Sequence, residues 1–380
     1  MQYLRTITKA LEKELFVSKR VIVIYGPRRT GKTTLAQYLF NKYKSIHKTR
    51  YIQCETFQAQ QGLTTRDPLK LIQYIGEETE LVILDEAQNV QNIGINLKIL
   101  IDTYPGLQII ATGSSSFDLA NEIKEPLTGR IWEFFLPPFT LQELQQKYDR
   151  HQIGSLLEDL MLYGFYPQVV NAPPEKKRLI LEEITQNYLY KDILVFEGQK
   201  NSEFIFRLLQ LLAFQIGSEV SINELSLKLE RSKTLVEKYL HLLEQCFVIF
   251  RLSPFRRNLR KEVLGKKKVY FWDTGIRNAL IQNFNNLSVR PDLGPLWENF
   301  CIAERVKFLK TNRISNNRFF WKTHTQQEID YLEEEGGKLK GYEIKWNKEK
   351  FKYPKEFLEN YKDSSLKVIN HYNYWDFVTG

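Results

Sequence analysis

Three cysteines, Cys54, Cys246 and Cys301, are too few and too scattered in 380 residues to build a disulfide framework. None belongs to a C-x-x-C pair and the five histidines do not gather near them, which excludes a zinc site of ordinary spacing and leaves buried thiols as the expectation. The chain also lacks any run of about 18 apolar residues able to span a bilayer. Its opening segment interleaves Arg5, Lys9, Glu12, Lys13 and Glu14 with apolar positions, unlike the unbroken apolar core of a signal peptide. These absences predict a cytoplasmic protein with no membrane partner. What is present is an ordinary globular composition, 43% hydrophobic and 26% charged, in a chain long enough for two or three domains.

Charge of one sign is in excess, and it is unevenly placed. The net charge is +9, and residues 231–270 alone hold eleven Lys/Arg against three Asp/Glu. A concentrated basic segment points to a polyanionic partner more than a uniformly basic surface does.

The most informative stretch is Gly26-Pro27-Arg28-Arg29-Thr30-Gly31-Lys32-Thr33, followed by Thr34. It fits G-x-x-x-x-G-K-[ST], and it lies between the apolar run Val21–Ile24 and a helical pattern beginning at Thr34. Glycines let successive backbone N–H groups turn onto a nucleotide's phosphates, and the helix N-terminus adds positive charge there. Lys32 is expected on the β- and γ-phosphates of ATP and Thr33 on Mg²⁺. A second apolar run, Leu81–Leu84, ends in Asp85-Glu86. At the carboxyl edge of a buried strand, Asp85 is placed to hold Mg²⁺ and Glu86 to orient and deprotonate the attacking water. The intervening segment 55–67 is polar and reads as a loop or lid. A further strand, Leu107–Thr112, ends in Gly113 and Ser114–Ser116.

This order of strand, phosphate loop, helix, strand, acidic strand and polar-tipped strand resembles the AAA-type branch of P-loop ATPases. The resemblance implies that Ser114 senses the γ-phosphate, although serine replaces the commoner asparagine there and a turn-forming role stays open. It also implies that Arg130 reaches into a neighbouring subunit's site, which makes the active form a homo-oligomer, with a hexamer among the options. A surface arginine paired to a local carboxylate is the alternative.

From 141 to about 199 the pattern is helical and aromatic, with Tyr163–Pro167 punctuating it and Tyr188–Ile193 closing it. These segments resemble a group of bacterial and archaeal AAA-type ATPases that carry a C-terminal domain of unknown function with a restriction-endonuclease-like core. The fold class expected is α/β: a P-loop AAA-type domain (1–140), a helical lid subdomain (141–200), a winged helix (201–280) and a nuclease-like α/β domain (281–380).

For the winged helix, Ser221 and Glu224 have capping-box spacing, Lys233–Gln245 forms a second helix, and two strands, Phe247–Leu252 and Lys268–Trp272, flank a basic connection. Arg256, Arg257, Arg260, Lys261, Lys266, Lys267 and Lys268 are the candidate DNA-phosphate contacts, and a solvated loop or a protein-binding wing is the alternative. In the last third, Glu298 lies on a helix, Asp330 on one strand, and Glu343 and Lys345 two apart on the next, hence on one face. This looks like the PD-(D/E)xK nuclease core, which implies a divalent metal activating water. Such cores often persist after activity is lost. The function expected is Mg²⁺-dependent ATP hydrolysis coupled to DNA binding or remodelling; an ATP-gated nuclease and an ATP-switched protein scaffold remain open.

Overall fold

Five apolar segments pair into one all-parallel sheet in the order β2-β3-β4-β1-β5: β1 (Val21–Tyr25), β2 (Thr49–Gln53), β3 (Leu81–Asp85), β4 (Gln108–Gly113) and β5 (Ile131–Phe135). The computed structural model describes residues 3–113, 126–186, 202–255, 265–348 and 352–380, with only the backbone of Ser202. The strands read as continuous apolar runs because both faces of a parallel sheet are covered. Val21, Val23, Val82, Leu84 and Ile109 turn to one face, where they meet Leu63 of α3 (Phe57–Thr64), Leu71 of α4 (Pro68–Ile75) and Leu97 of α5 (Ile93–Thr103). Ile22, Ile24, Leu81, Ile83 and Ile110 turn to the other, against Leu11 of α1 (Ile7–Glu14) and Leu35 and Leu39 of α2 (Lys32–Tyr43).

Helix α3 corrects the expectation of a loop or lid over 55–67. Its sequence FQAQQGLT is mostly polar, but Thr56 caps it by accepting from the Ala59 N–H, and Ala59 and Leu63 are fully buried one turn apart. Strand β5 adds an edge that no sequence motif marks. The chain divides into two compact units between Phe139 and Thr140.

The second unit opens with short helices, α6 (Leu141–Leu144), α7 (Arg150–Ser155), α8 (Leu157–Tyr163), α9 (Pro167–Val170) and α10 (Pro174–Ile184). Thr140 and Glu143 make a reciprocal capping box on α6. The segment Tyr188–Ile193 lies outside the described residues. Then come α11 (Ser202–Phe214), β6 (Glu219–Val220), α12 (Ile222–Leu229), α13 (Lys233–Gln245), β7 (Ile249–Pro254) and β8 (Lys267–Phe271). Ser221 caps α12 through the Glu224 N–H, but Glu224 pairs with Lys228 and completes no box.

After α14 (Thr274–Leu280) and the long α15 (Leu293–Thr311), β9 (Asn317–Lys322), β10 (Glu328–Glu335) and β11 (Lys338–Ile344) form an antiparallel meander. Gly336 and Gly337, both at positive φ, make the two-residue turn between β10 and β11. Helix α16 (Lys355–Asn360) leads to β12 (Ser365–Ile369), parallel to β11, and α17 (Tyr374–Thr379) ends the chain. Because β7 runs parallel beside β9, all seven strands form one sheet, β12-β11-β10-β9-β7-β8-β6. Residues 201–280 and 281–380 are thus joined within one unit.

Candidate functional site

The phosphate loop follows β1 with little room to spare. A Cβ on Gly26, at φ 154°, would stand 2.2 Å from the Leu136 carbonyl oxygen, so only glycine lets the loop leave the sheet this close to the end of β5. Gly31, at φ 95°, is the residue just before α2. Thr30 donates its hydroxyl to the Pro27 carbonyl (2.8 Å), closing the loop internally. Pro27 is also buried, whereas Arg28 and Arg29 are half-exposed. Lys32 is 4% exposed, and its ammonium donates to the carbonyls of Gly26 (3.0 Å) and Pro27 (2.8 Å). Thr33 lies half-buried in the first turn of α2, and Thr34 beside it is exposed.

One supporting residue carries no motif signal. Arg5 is 2% exposed and bridges the loop to the chain beyond β5, donating to the Thr30 carbonyl (2.5 Å) and the Pro137 carbonyl (2.6 Å). Its guanidinium also lies 5.0 Å from the Phe139 ring centroid.

At the carboxyl edge of β3, Asp85 is 4% exposed and both its oxygens accept hydroxyls: Oδ2 from Tyr51 (2.6 Å) and Oδ1 from Thr112 (2.5 Å). Burial, together with the bond to Asp85, pushes the Tyr51 phenol well above its ordinary range, so it stays a donor. The Thr112 oxygen in turn accepts from the Glu86 N–H (3.0 Å). Glu86 has φ 53°, a left-handed conformation uncommon for glutamate, and its carboxylate accepts from the Gln88 amide. Sequence reasoning found Asp85 and Glu86 but missed Tyr51 and Thr112. Thr112 had a signal, its place at the carboxyl end of a buried strand; Tyr51 had none. The oxygen donors of Thr33 and Asp85 suit a hard cation such as Mg²⁺.

Arg130 pairs with Asp102 of the same chain (3.0 Å), both side chains being more than two-fifths exposed. Ser114 lies outside the described residues, as do Arg256, Arg257, Arg260 and Lys261. Lys266 is exposed and Lys267 half-buried. Both line a cleft of about 340 Å³ with Ser221, Asn223, Glu237 and Arg251, at the start of α12. Arg251 is ion-paired with Glu244.

Lys268 does not belong with this basic set, which corrects its assignment as a phosphate contact. Strand alternation turns it inward, where it is 2% exposed and ion-pairs with Glu298 (3.2 Å), Glu328 and Asp330 (3.7 Å). Asn299 fixes α15 to β8 by bonding both the N–H and the carbonyl of Phe271, which sets Glu298 against Lys268 and the Tyr270 hydroxyl (2.7 Å). From the other side, Lys345 pairs with Glu343 (2.7 Å) and Asp330 (3.2 Å), and Asp330 also accepts from the Ile344 N–H. The four residues singled out in the sequence, Glu298, Asp330, Glu343 and Lys345, do come together. Burial, reinforced by Asp330, pushes the carboxyls of Glu298 and Glu343 up to about 7.

A divalent metal, which a nuclease-like core implies, does not fit this cluster. Mg²⁺ needs oxygens at about 2.1 Å around a shared centre, whereas here the carboxylates converge on an ammonium. Among the described residues no group of three or more His, Cys, Asp or Glu is arranged to hold a metal ion. The three cysteines are free and buried, and no described helix is long and apolar enough to cross a membrane.

Comparison with known proteins finds three family matches along the chain. Residues 18–145 match an AAA domain, 154–287 a domain of unknown function (DUF8612) and 293–373 another (DUF4143). An uncharacterized protein of Mycobacterium tuberculosis is 27% identical over 334 residues, covering 86% of this chain and 70% of that one. One of Haemophilus influenzae is 28% identical over 278 residues, covering 68% of each. Among solved structures, AMPPCP-bound DnaA from Aquifex aeolicus aligns at 18% identity and a TM-score of 0.30, covering 62% of this chain and 86% of that chain. With its parallel sheet, phosphate loop and acidic strand end, the matched N-terminal unit is an AAA-like P-loop domain in a mixed α/β protein.

Proposed function

We propose that this chain hydrolyses ATP at the phosphate loop and couples the cycle to DNA held by the basic segment of the second unit, acting as a homo-oligomer. The observation that carries the reading is the Asp85–Glu86 pair at the end of β3, held by Thr112 in the same sheet as the loop. Backbone N–H groups of residues 28–34 and the Lys32 ammonium take the phosphates, with Lys32 exchanging the Gly26 and Pro27 carbonyls for phosphate oxygens. Thr33 and Asp85 would hold Mg²⁺, which supplies charge neutralisation between the β- and γ-phosphates. Glu86 orients the attacking water and takes its proton. In the oligomer, Arg130 gives up its exposed and weakly held pair with Asp102 for a neighbouring subunit's transferring phosphate, and Ser114 contacts the γ-phosphate.

For DNA, Lys266 and Lys267 in the cleft beside α12, with Arg256, Arg257, Arg260 and Lys261 on the adjoining connection, supply sequence-independent phosphate contacts. A turnover assay tests the hydrolytic core. Lys32→Ala and Glu86→Gln should each lower the ATPase rate at least about a hundredfold, about 2.7 kcal/mol of barrier, with Glu86→Gln still binding ATP. Wild-type rates in both variants would refute the reading.

A further inference from the structure

The second unit contains four carboxylates, Glu298, Glu328, Asp330 and Glu343, brought together from one helix and two strands. Left alone they would repel one another in a site largely withdrawn from water, and such a group must be neutralised by protons, a metal or internal cations. Lys268 reaches three of them from β8 and is 2% exposed. Lys345 covers Asp330 and Glu343, and Lys322 covers Glu328 (3.1 Å). The Lys268 ammonium is held on a rigid strand: β8 pairs with β7 on one side and β6 on the other, and Asn299 clamps its end to α15.

We infer that Lys268 is the resident cation of this cluster, so that the nuclease-like region works without a divalent metal and does not cut phosphodiesters. The spacing is that of an ammonium among carboxylates, with N–O distances of 3.2 and 3.7 Å to Glu298 and Asp330 and a further pair with Glu328, so the charge these three acids share is already met by one lysine. One buried oxygen, Oε2 of Glu343, has no hydrogen-bond partner among the described residues, and Glu343 lines a cleft of about 580 Å³ with Glu328, Lys352 and Lys355. A single carboxylate oxygen beside two lysines does not draw a divalent ion from water. The cluster is instead an ion-paired junction tying β8, α15, β10 and β11 together. This inference stands apart from the ATPase reading, since it concerns none of its residues.

The test is Mn²⁺ titration of the full chain without nucleotide, followed by the electron paramagnetic resonance signal of free Mn²⁺. Wild type and Glu343→Gln should take up the same Mn²⁺. Lys268→Met should gain a Mn²⁺ site that the double variant Lys268→Met/Glu343→Gln loses. Wild-type uptake that Glu343→Gln abolishes would overturn the inference, and so would a folded Lys268→Met that gains no site. Should Lys268→Met fail to fold by circular dichroism, the comparison of wild type with Glu343→Gln decides alone.

Discussion

Asp85 carries a hydroxyl on each oxygen, Tyr51 on one and Thr112 on the other, and the same Thr112 oxygen receives the Glu86 N–H. One side chain therefore sets both the proposed metal ligand and the backbone of the proposed base. Thr112→Val keeps the shape and removes these bonds. It should lower the ATPase rate about tenfold, about 1.4 kcal/mol, with KM for ATP little changed; an unaltered rate would remove Thr112 from the mechanism. Arg5 acts on the same loop through stability, since its buried guanidinium pins the Thr30 and Pro137 carbonyls. Arg5→Ala leaves those carbonyls without donors and should destabilise the N-terminal unit by about 2–4 kcal/mol, read as a lower thermal midpoint. Asp85, Glu86 and Lys32 were legible in the sequence because phosphate chemistry fixes both residue type and spacing. Tyr51, Thr112 and Arg5 were not, because their roles depend on which strands become neighbours.

At the scale of elements, β8 shows how a one-residue alternation divides a basic run. Lys266 is exposed and Lys267 half-buried on the cleft beside α12, while Lys268 points into the carboxylate cluster. Composition alone counted the three together; the strand's two faces separate Lys267 from Lys268, and Lys266 lies just before the strand. The acids they meet have a pH signature. Glu298 faces Lys268, Tyr270 and Asp330, and Glu343 faces Asp330, Lys345 and, more distantly, Glu298. Their carboxyls lie near 7 in the folded chain against an ordinary 4.5, so the folded state holds more protons between those values. Stability is therefore highest toward pH 5 and is lost as pH rises through about 7. The thermal midpoint of the second unit should fall between pH 5 and 8, and Glu343→Gln should flatten that fall. A midpoint that rises over the interval would contradict the assignment. Helix α3 was illegible for a simpler reason, that only Ala59 and Leu63 of its residues are buried, too few to set up a helical period.

Across the whole molecule, the five-stranded sheet and its helices were readable because buried parallel strands give unbroken apolar runs next to a diagnostic loop. The seven-stranded sheet was not, because its joining contact, β7 beside β9, links segments more than 60 residues apart through two residue pairs among the described residues. The same sheet carries Lys267 near one end, with Lys266 just before it, and the carboxylate cluster toward its middle, so the strand proposed to meet DNA is also tied to the interior of its unit. Duplex binding should weaken steeply with salt, and Lys266→Ala/Lys267→Ala should reduce the salt slope by about 2. The proposed link between ATP hydrolysis and DNA is decided by the steady-state ATPase rate of wild type with and without duplex DNA at low salt, beside Lys32→Ala. Turnover should be stimulated by DNA and abolished in Lys32→Ala; a rate indifferent to DNA, or one that survives Lys32→Ala, would refute the link.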